Sequence, residues 1–431
     1  MLSVLTLALA LAPPAADPTW EKVVLDTKFR SEGVAVADVN KDGKMDVLAG
    51  EVWYEAPHWT PHEMQKPGDY GTGEKGYSHV FACWAEDLNA DGYPDLIVID
   101  FPGDPCYWLE NPKGDPSKHW TKHVIWHSAC NETPYYADLL GTGKRVLIMG
   151  FQPKGAKTDN QGQMAYFTPK PGAPTAEWDM HPISAPSEPG KPVPGTFKFS
   201  HGLGVGDVNG DGRPDVMTSG GGWWEQPKDA DGKAAWAFHP IDFREAVADM
   251  FAADLDGDGK ADILCTSAHK FGVWMLKQRP PAPPAKPLSP GAARQPTGDA
   301  DAKLPPVAAK APETPPHPAF DKIELFGRLA SETHAAVLTD IDGDGLADLV
   351  TGKRWWSHGR SEPGSSWPAR LFWLKAVKEA DGFVNWVPKV IDEDSGVGTQ
   401  FAVTDVDGDG LLDVVSSNKK GVRVIYQRRA K

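Results

Sequence analysis

Short alternations of apolar and small or polar residues recur along the chain, each ending on an aspartate: GVAVAD at 33–38, GLGVGD at 202–207, HAAVLTD at 334–340 and QFAVTD at 400–405. A polar loop follows each, and then a β-branched run: DVLAG at 46–50, DLIVID at 95–100, DVMTSG at 215–220, DILCTS at 262–267, DLVTG at 348–352 and DVVSS at 413–417. Period-two patterning on both sides of a Gly/Asp-rich loop predicts two strands of one hairpin. An aromatic third run comes next, as in VWYEAP at 52–57, YWLENP at 107–112, MAYFTP at 164–169 and GWWEQP at 222–227. A fourth run opens on Trp59, Trp120, Trp178, Trp236 and Trp386, with Phe320 in the equivalent place of the fifth unit.

The loops begin at Asp38, Asp87, Asp138, Asp207, Asp254, Asp340 and Asp405, and repetition at such spacing marks a modular architecture. Seven units of four strands predict an all-β fold, a seven-bladed β-propeller of four-stranded antiparallel blades. The seventh unit stops at VRVIYQRRAK without a fourth strand. TWEKVVLD at 19–26 matches the fourth strands HWTKHVIW at 119–126 and NWVPKVID at 385–392. The N-terminal strand is therefore expected to complete blade seven and remove its open edge.

Two segments stand outside this rhythm. Residues 1–16, with an apolar run from Leu2 to Leu11 followed by small residues, read as a signal peptide and predict a secreted or periplasmic protein. The Pro/Ala-rich stretch 279–318 reads as a disordered insertion within blade five, so the propeller spans 17–431. No transmembrane segment is expected, since the leading run is short and no later one is apolar enough.

Charge enters through the loops. Oxygen-bearing side chains fall at positions 1, 3, 5 and 9 of six copies. These are Asp38, Asn40, Asp42 and Asp46; Asp87, Asn89, Asp91 and Asp95; and Asp207, Asn209, Asp211 and Asp215. In the later blades they are Asp254, Asp256, Asp258 and Asp262; Asp340, Asp342, Asp344 and Asp348; and Asp405, Asp407, Asp409 and Asp413. Glycine at position 6 permits a tight reversal, and the spacing gathers hard oxygens round one point, the chemistry of Ca²⁺. An Asx turn alone needs one such residue, not four. About six calcium sites are expected, and the eroded copy DLLGTGKRV at Asp138 is expected to be empty. The six loops hold 21 aspartates against a formal net charge of -15, so the remainder of the chain is net positive. The acidity belongs to ligands rather than to a general field, and no nucleic-acid partner is expected.

These loops resemble the FG-GAP, or VCBS, repeats also found in the integrin α-chain propeller. The pairing of WYEAP, WLENP and WWEQP with a following Trp strand looks like the secreted bacterial type. The resemblance implies calcium in the hairpin loops but no single activity, because a propeller is a scaffold.

In such a blade the first strand starts at the mouth opposite the acidic loops. Glu32, Glu132, His201 and His334 share one register there, six positions before the first Asp, beside Phe81, Ala248 and Thr399. Second strands return to the same mouth at Glu51, Asp100, Gln152, His269, Lys270, Lys353, Arg354, Asn418 and Lys419. The loop SHGRSEPGSSWPA at 357–369 is expected to border this funnel. One reading is a binding module for carbohydrate or an extracellular protein, with some of Trp223, Trp224, Trp355 and Trp356 as stacking faces. The other is an enzyme, since the ring faintly resembles the propeller of aldos-2-ulose dehydratase, a keto-sugar lyase. That resemblance implies an additional divalent metal, for which Glu32, Glu132, His201 and His334 are the candidate ligands and catalytic residues. His62, His123, His181 and His239, three after each fourth-strand Trp, read as scaffold. Of four cysteines, Cys106 and Cys130 fall in neighbouring connections where a disulfide is conceivable; Cys83 and Cys265 fall inside strands.

Overall fold

The computed structural model describes residues 17–228, 236–243, 246–279, 318–379 and 384–429. The leader at 1–16 and nearly all of the insertion at 279–318 lie outside the described residues. Within them, seven four-stranded antiparallel sheets form the blades of a propeller, and no described residue is helical. The innermost strands, in blade order, are Ala35–Ala37, Ala82–Glu86, Tyr135–Ala137, Leu203–Gly206, Val247–Ala253, Ala336–Thr339 and Ala402–Thr404. Six blades are sequential meanders. In the seventh, Thr19–Asp26 pairs antiparallel with Gly421–Arg428, from Thr19 opposite Arg428 to Asp26 opposite Val422. Blade seven is therefore closed by the N-terminal strand, as the pattern of its residues predicts.

The core lies between blades rather than within one. Val98, Leu96 and Tyr107 of blade two share an apolar cluster with Leu48 and Trp53 of blade one, and the same arrangement recurs round the ring. The fourth-strand tryptophans dock each blade on the one before. The backbone N–H groups of Trp120, Trp178 and Trp236 donate to the carbonyls of Met64, Ile125 and Ile183 of the preceding blade. Histidines on the fourth strands are scaffold. His62, His123 and His239 lie tilted against Trp53, Trp108 and Trp223 and pair with Glu55, Glu110 and Glu225 at 2.7–2.8 Å. His181 stacks on Tyr166 and meets the Thr168 hydroxyl.

Each acidic loop makes the reversal predicted for it. The glycine at position 6 sits at φ between 76 and 91° in all seven copies, a conformation that costs glycine little. The ninth aspartate has a second task that spacing does not reveal. It is fully buried in six blades, and its two oxygens accept one amide from loop position 2 and one from the end of the third strand. For Asp46 these are Val39 and Ala56, and for Asp95 they are Leu88 and Asn111. A single carboxylate thus ties three strands together at the rim. Burial raises these carboxyls, Asp46 to about 6 and Asp95 to about 7, with the neighbouring loop aspartates adding to the effect.

The disulfide considered for Cys106 and Cys130 does not form; both are free and buried. Cys106 begins the third strand of blade two with its Sγ turned to the Trp126 carbonyl and to Met149 Sδ. Burial raises both thiols to about 12, which leaves them inert at neutral pH.

Candidate metal centre at the funnel mouth

The register shared by Glu132, His201 and His334 brings them together. One ligand atom from each lies within 4.8 Å of the other two, and all three side chains are buried. The second strand of blade five ends just before His269, whose Nε2 lies 2.6 Å from His201 Nε2. The loop after Arg354 adds His358. Separations between the four ring centres run from 4.5 to 6.4 Å, and His269, His358 and Glu362 form an adjoining group whose ligand atoms lie within 4.8 Å of one another. Imidazoles binding one metal through nitrogen at about 2.0–2.1 Å adopt comparable spacing.

Glu362 stands behind this group. Its Oε1 lies 3.2 Å from Nδ1 of both His269 and His358. The His269 contact is a hydrogen bond, and a carboxylate on one ring nitrogen fixes the tautomer and leaves the opposite nitrogen as the ligand.

The protonation states suit the same purpose. Burial, reinforced by Arg354 and the other imidazoles, drives His334 far below the usual histidine range. Burial and Arg354 likewise lower His358 to about 4, and burial with His201 lowers His269. Neutral imidazoles are the form that binds metal. Burial opposes ionisation of Glu132, but the His201 ring at 3.7 Å and the Arg354 guanidinium hold its carboxyl down at about 2.

Both ring nitrogens of His334 are buried and lack a hydrogen-bond partner among the described residues, and so does His201 Nδ1. A buried polar atom left unpaired costs about 1–3 kcal/mol. Such orphans converging on one point fit a missing cation.

Glu32 has the register of a ligand but a different partner. Fully buried Arg354 reaches Glu32 at 3.2 Å and Glu132 at 3.0 Å, so one guanidinium bridges two carboxylates. Lys419 Nζ lies 3.9 Å from Glu32 Oε1, an oxygen no donor fills. A second buried pair, Lys353 with Glu332, is completed by the Ser357 hydroxyl, which donates to Glu332 at 2.5 Å. That pair anchors the start of the loop carrying His358 and Glu362. Thr399, Gln400 and Asp249 line the axial channel, whereas Asp100 pairs with His79 at 2.7 Å.

The tryptophans considered as sugar platforms are covered. Trp223 and Trp224 are buried; Trp355 and Trp356 stack on one another, with Lys420 over the first and Arg360 over the second.

The acidic loops close the far end of the same first strands. Asp254, Asp256 and Asp262 gather in one loop, and Asp340, Asp342 and Asp344 in another. Position 3 follows its third-strand neighbour in charge. Asn40 and Asn89 donate to Glu55 and Glu110, whereas Asp256, Asp342 and Asp407 pair with Lys277, Lys375 and Arg428. Asn40→Asp is therefore expected to lower stability in calcium-free buffer by about 0.5–1 kcal/mol, with Asn40→Asp/Glu55→Lys restoring it. Equilibrium denaturation of the two variants checks this, and an uncorrected double variant would refute the pairing.

A protein-family model described as an FG-GAP-like repeat matches residues 207–265, which run from the acidic loop of blade four to the second strand of blade five. No curated protein matches the chain. Among solved structures, the rhamnogalacturonan lyase YesW is similar at 12% identity and a TM-score of 0.42, covering 98% of this chain and 75% of that one. That likeness is too distant to carry an activity across.

Proposed function

We propose that this propeller, braced by calcium in its acidic loops, holds one divalent transition metal at the funnel mouth and acts as a lyase on a carbonyl-bearing sugar. The observation that carries the reading is His334, whose two buried nitrogens have no partner among the described residues while His201 and Glu132 each bring a ligand atom within 4.8 Å and His269 and His358 lie beside them. The donor set of imidazoles and one carboxylate suits zinc, manganese or iron better than calcium. When bound, the metal would polarise a substrate oxygen as a Lewis acid. His201, His269, His334 and His358 would hold it, with Glu132 as the carboxylate ligand and Glu362 orienting His269. Arg354 pairs with both Glu32 and Glu132 in a buried setting. Glu32 Oε1, the unfilled oxygen, would accept a proton from the carbon next to the substrate carbonyl, while the oxygen substituent on the following carbon would leave with the electron pair of its C–O bond as the C=C bond forms. The keto-sugar substrate class rests on the resemblance to the aldos-2-ulose dehydratase propeller.

Calcium in the six loops is part of the same reading. The Asp138 copy makes the same reversal, with Gly143 at φ 76° and the Thr142 and Gly143 amides on the Asp138 carboxylate. The turn thus forms without the further carboxylates, which need another reason to be there.

Elemental analysis of the purified chain tests both parts. About six calcium and one zinc, manganese or iron per chain are expected, and calcium alone would return the funnel to a recognition role for carbohydrate or an extracellular protein. Fewer than half the expected calcium would sink the reading of the loops. Chelation is expected to lower the melting temperature, because each ion supplied at a hundred times its dissociation constant stabilises the fold by about 2.7 kcal/mol.

A further inference from the structure

Between the inner strands lies a cavity of about 190 Å³ that neither the metal centre nor the acidic loops use. We propose that this cavity binds an alkylated organic ammonium group, held by the Asp249 carboxylate within a wall of aromatic rings. Trp84, Tyr135, Tyr136 and Phe401 line it with Gln400 and Asp249, from the inner strands of blades two, three, five and seven and the residues just before them.

Asp249 is 5% exposed. Its Oδ2 accepts the Ala336 amide at 2.9 Å, and its Oδ1 has no partner among the described residues. No described ion pair includes it. A buried carboxylate without a countercharge is costly, and it either takes up a proton or finds a cation. Burial accordingly raises its carboxyl to about 7, only partly offset by the Ala336 amide. Space for the carboxylate is kept by Gly202, where a Cβ would come within 2.5 Å of Asp249 Oδ1.

The lining selects the class of cation. A calcium or magnesium ion needs several hard oxygens, and here one carboxylate shares the lining with Trp84, Tyr135, Tyr136, Phe401 and small aliphatic side chains. Aromatic faces attract cations through the ring quadrupole, most strongly where water is excluded, and this favours a group whose charge is spread over alkyl substituents. Tyr136 already takes the Arg145 guanidinium over its ring at 4.7 Å, so one ring of this wall accepts a cation.

The probe is tetramethylammonium chloride added to the full chain, followed by tryptophan fluorescence and calorimetry, with sodium chloride at equal ionic strength and neutral tert-butanol as controls. Saturable binding near roughly 1 mM is expected, a modest affinity for so small a ligand, and neither control should compete. Asp249→Asn is expected to weaken binding at least about tenfold. Trp84→Leu, which removes one wall and leaves the carboxylate, should weaken it several-fold without altering metal content, and it serves if the first variant does not fold. Absence of saturation in wild-type protein, equal competition by tert-butanol, or unchanged affinity in a folded variant would each overturn the proposal.

Discussion

His334→Phe is expected to strip the transition metal from the funnel, leave the calcium content unchanged, and make the metal-free protein more stable. The phenyl ring fills nearly the volume of the imidazole but has no nitrogen to desolvate. Both His334 nitrogens are buried and unpartnered, so the native residue carries a penalty of about 1–3 kcal/mol when no ion is bound. Removing it should raise the metal-free stability by a comparable amount, the usual relation between a strained site and its function. A merely structural histidine would behave in the opposite way, since its loss would break hydrogen bonds. Glu362→Gln is the graded companion: it keeps every ligand but removes the carboxylate hydrogen-bonded to His269, and should cost about 10–100-fold in metal affinity. Elemental analysis and denaturation of the chelated proteins read both effects. Stoichiometric metal in His334→Phe, or a metal-free variant less stable than the parent, would contradict the site.

How far the molecule is legible in its sequence depends on how local the determining physics is. Blades, loops and closure are legible because each strand repeats a residue period, and each reversal needs glycine at a fixed position. Glu132, His201 and His334 are legible for the same reason: one strand register in a symmetrical ring places them at one mouth. His358 and Glu362 belong to a loop without a period. Their arrival beside His269 depends on the buried Lys353–Glu332 pair and the Ser357 hydroxyl, tertiary contacts that no spacing encodes. Glu32 shows the converse limit. It has the right register, yet Arg354 from blade six reaches across and takes its carboxylate, so equivalence in sequence is not equivalence in charge environment. The ninth aspartates are similar, since the amides they accept come from strand ends that only the folded blade brings near.

Deleting residues 17–26 is expected to abolish cooperative folding of the whole ring, an effect larger than that of any point substitution. Thr19–Asp26 supplies the outer strand of blade seven, and Trp20, Val23 and Leu25 pack against the cluster containing Val424, Tyr426 and Trp373. Fully burying one such side chain is worth about 1.5–3 kcal/mol, so even partial burial of three approaches the 5–15 kcal/mol that holds a typical domain folded. Asp26 adds a tie to blade one: its carboxylate accepts the Lys28 amide, the Arg30 guanidinium and the Tyr54 hydroxyl, all at 2.8–2.9 Å. Without it, blades one and seven lose their latch, and Gly421–Arg428 becomes an exposed apolar edge open to pairing with other chains. Shortened protein should therefore aggregate on size exclusion and lose its near-ultraviolet dichroism, while removal of residues 1–16 alone should not. A synthetic peptide spanning residues 17–28 is expected to restore a sharp melting transition by adding the strand in trans. Cooperative melting of the shortened chain within a few degrees of the parent would mean that this strand does not close the ring.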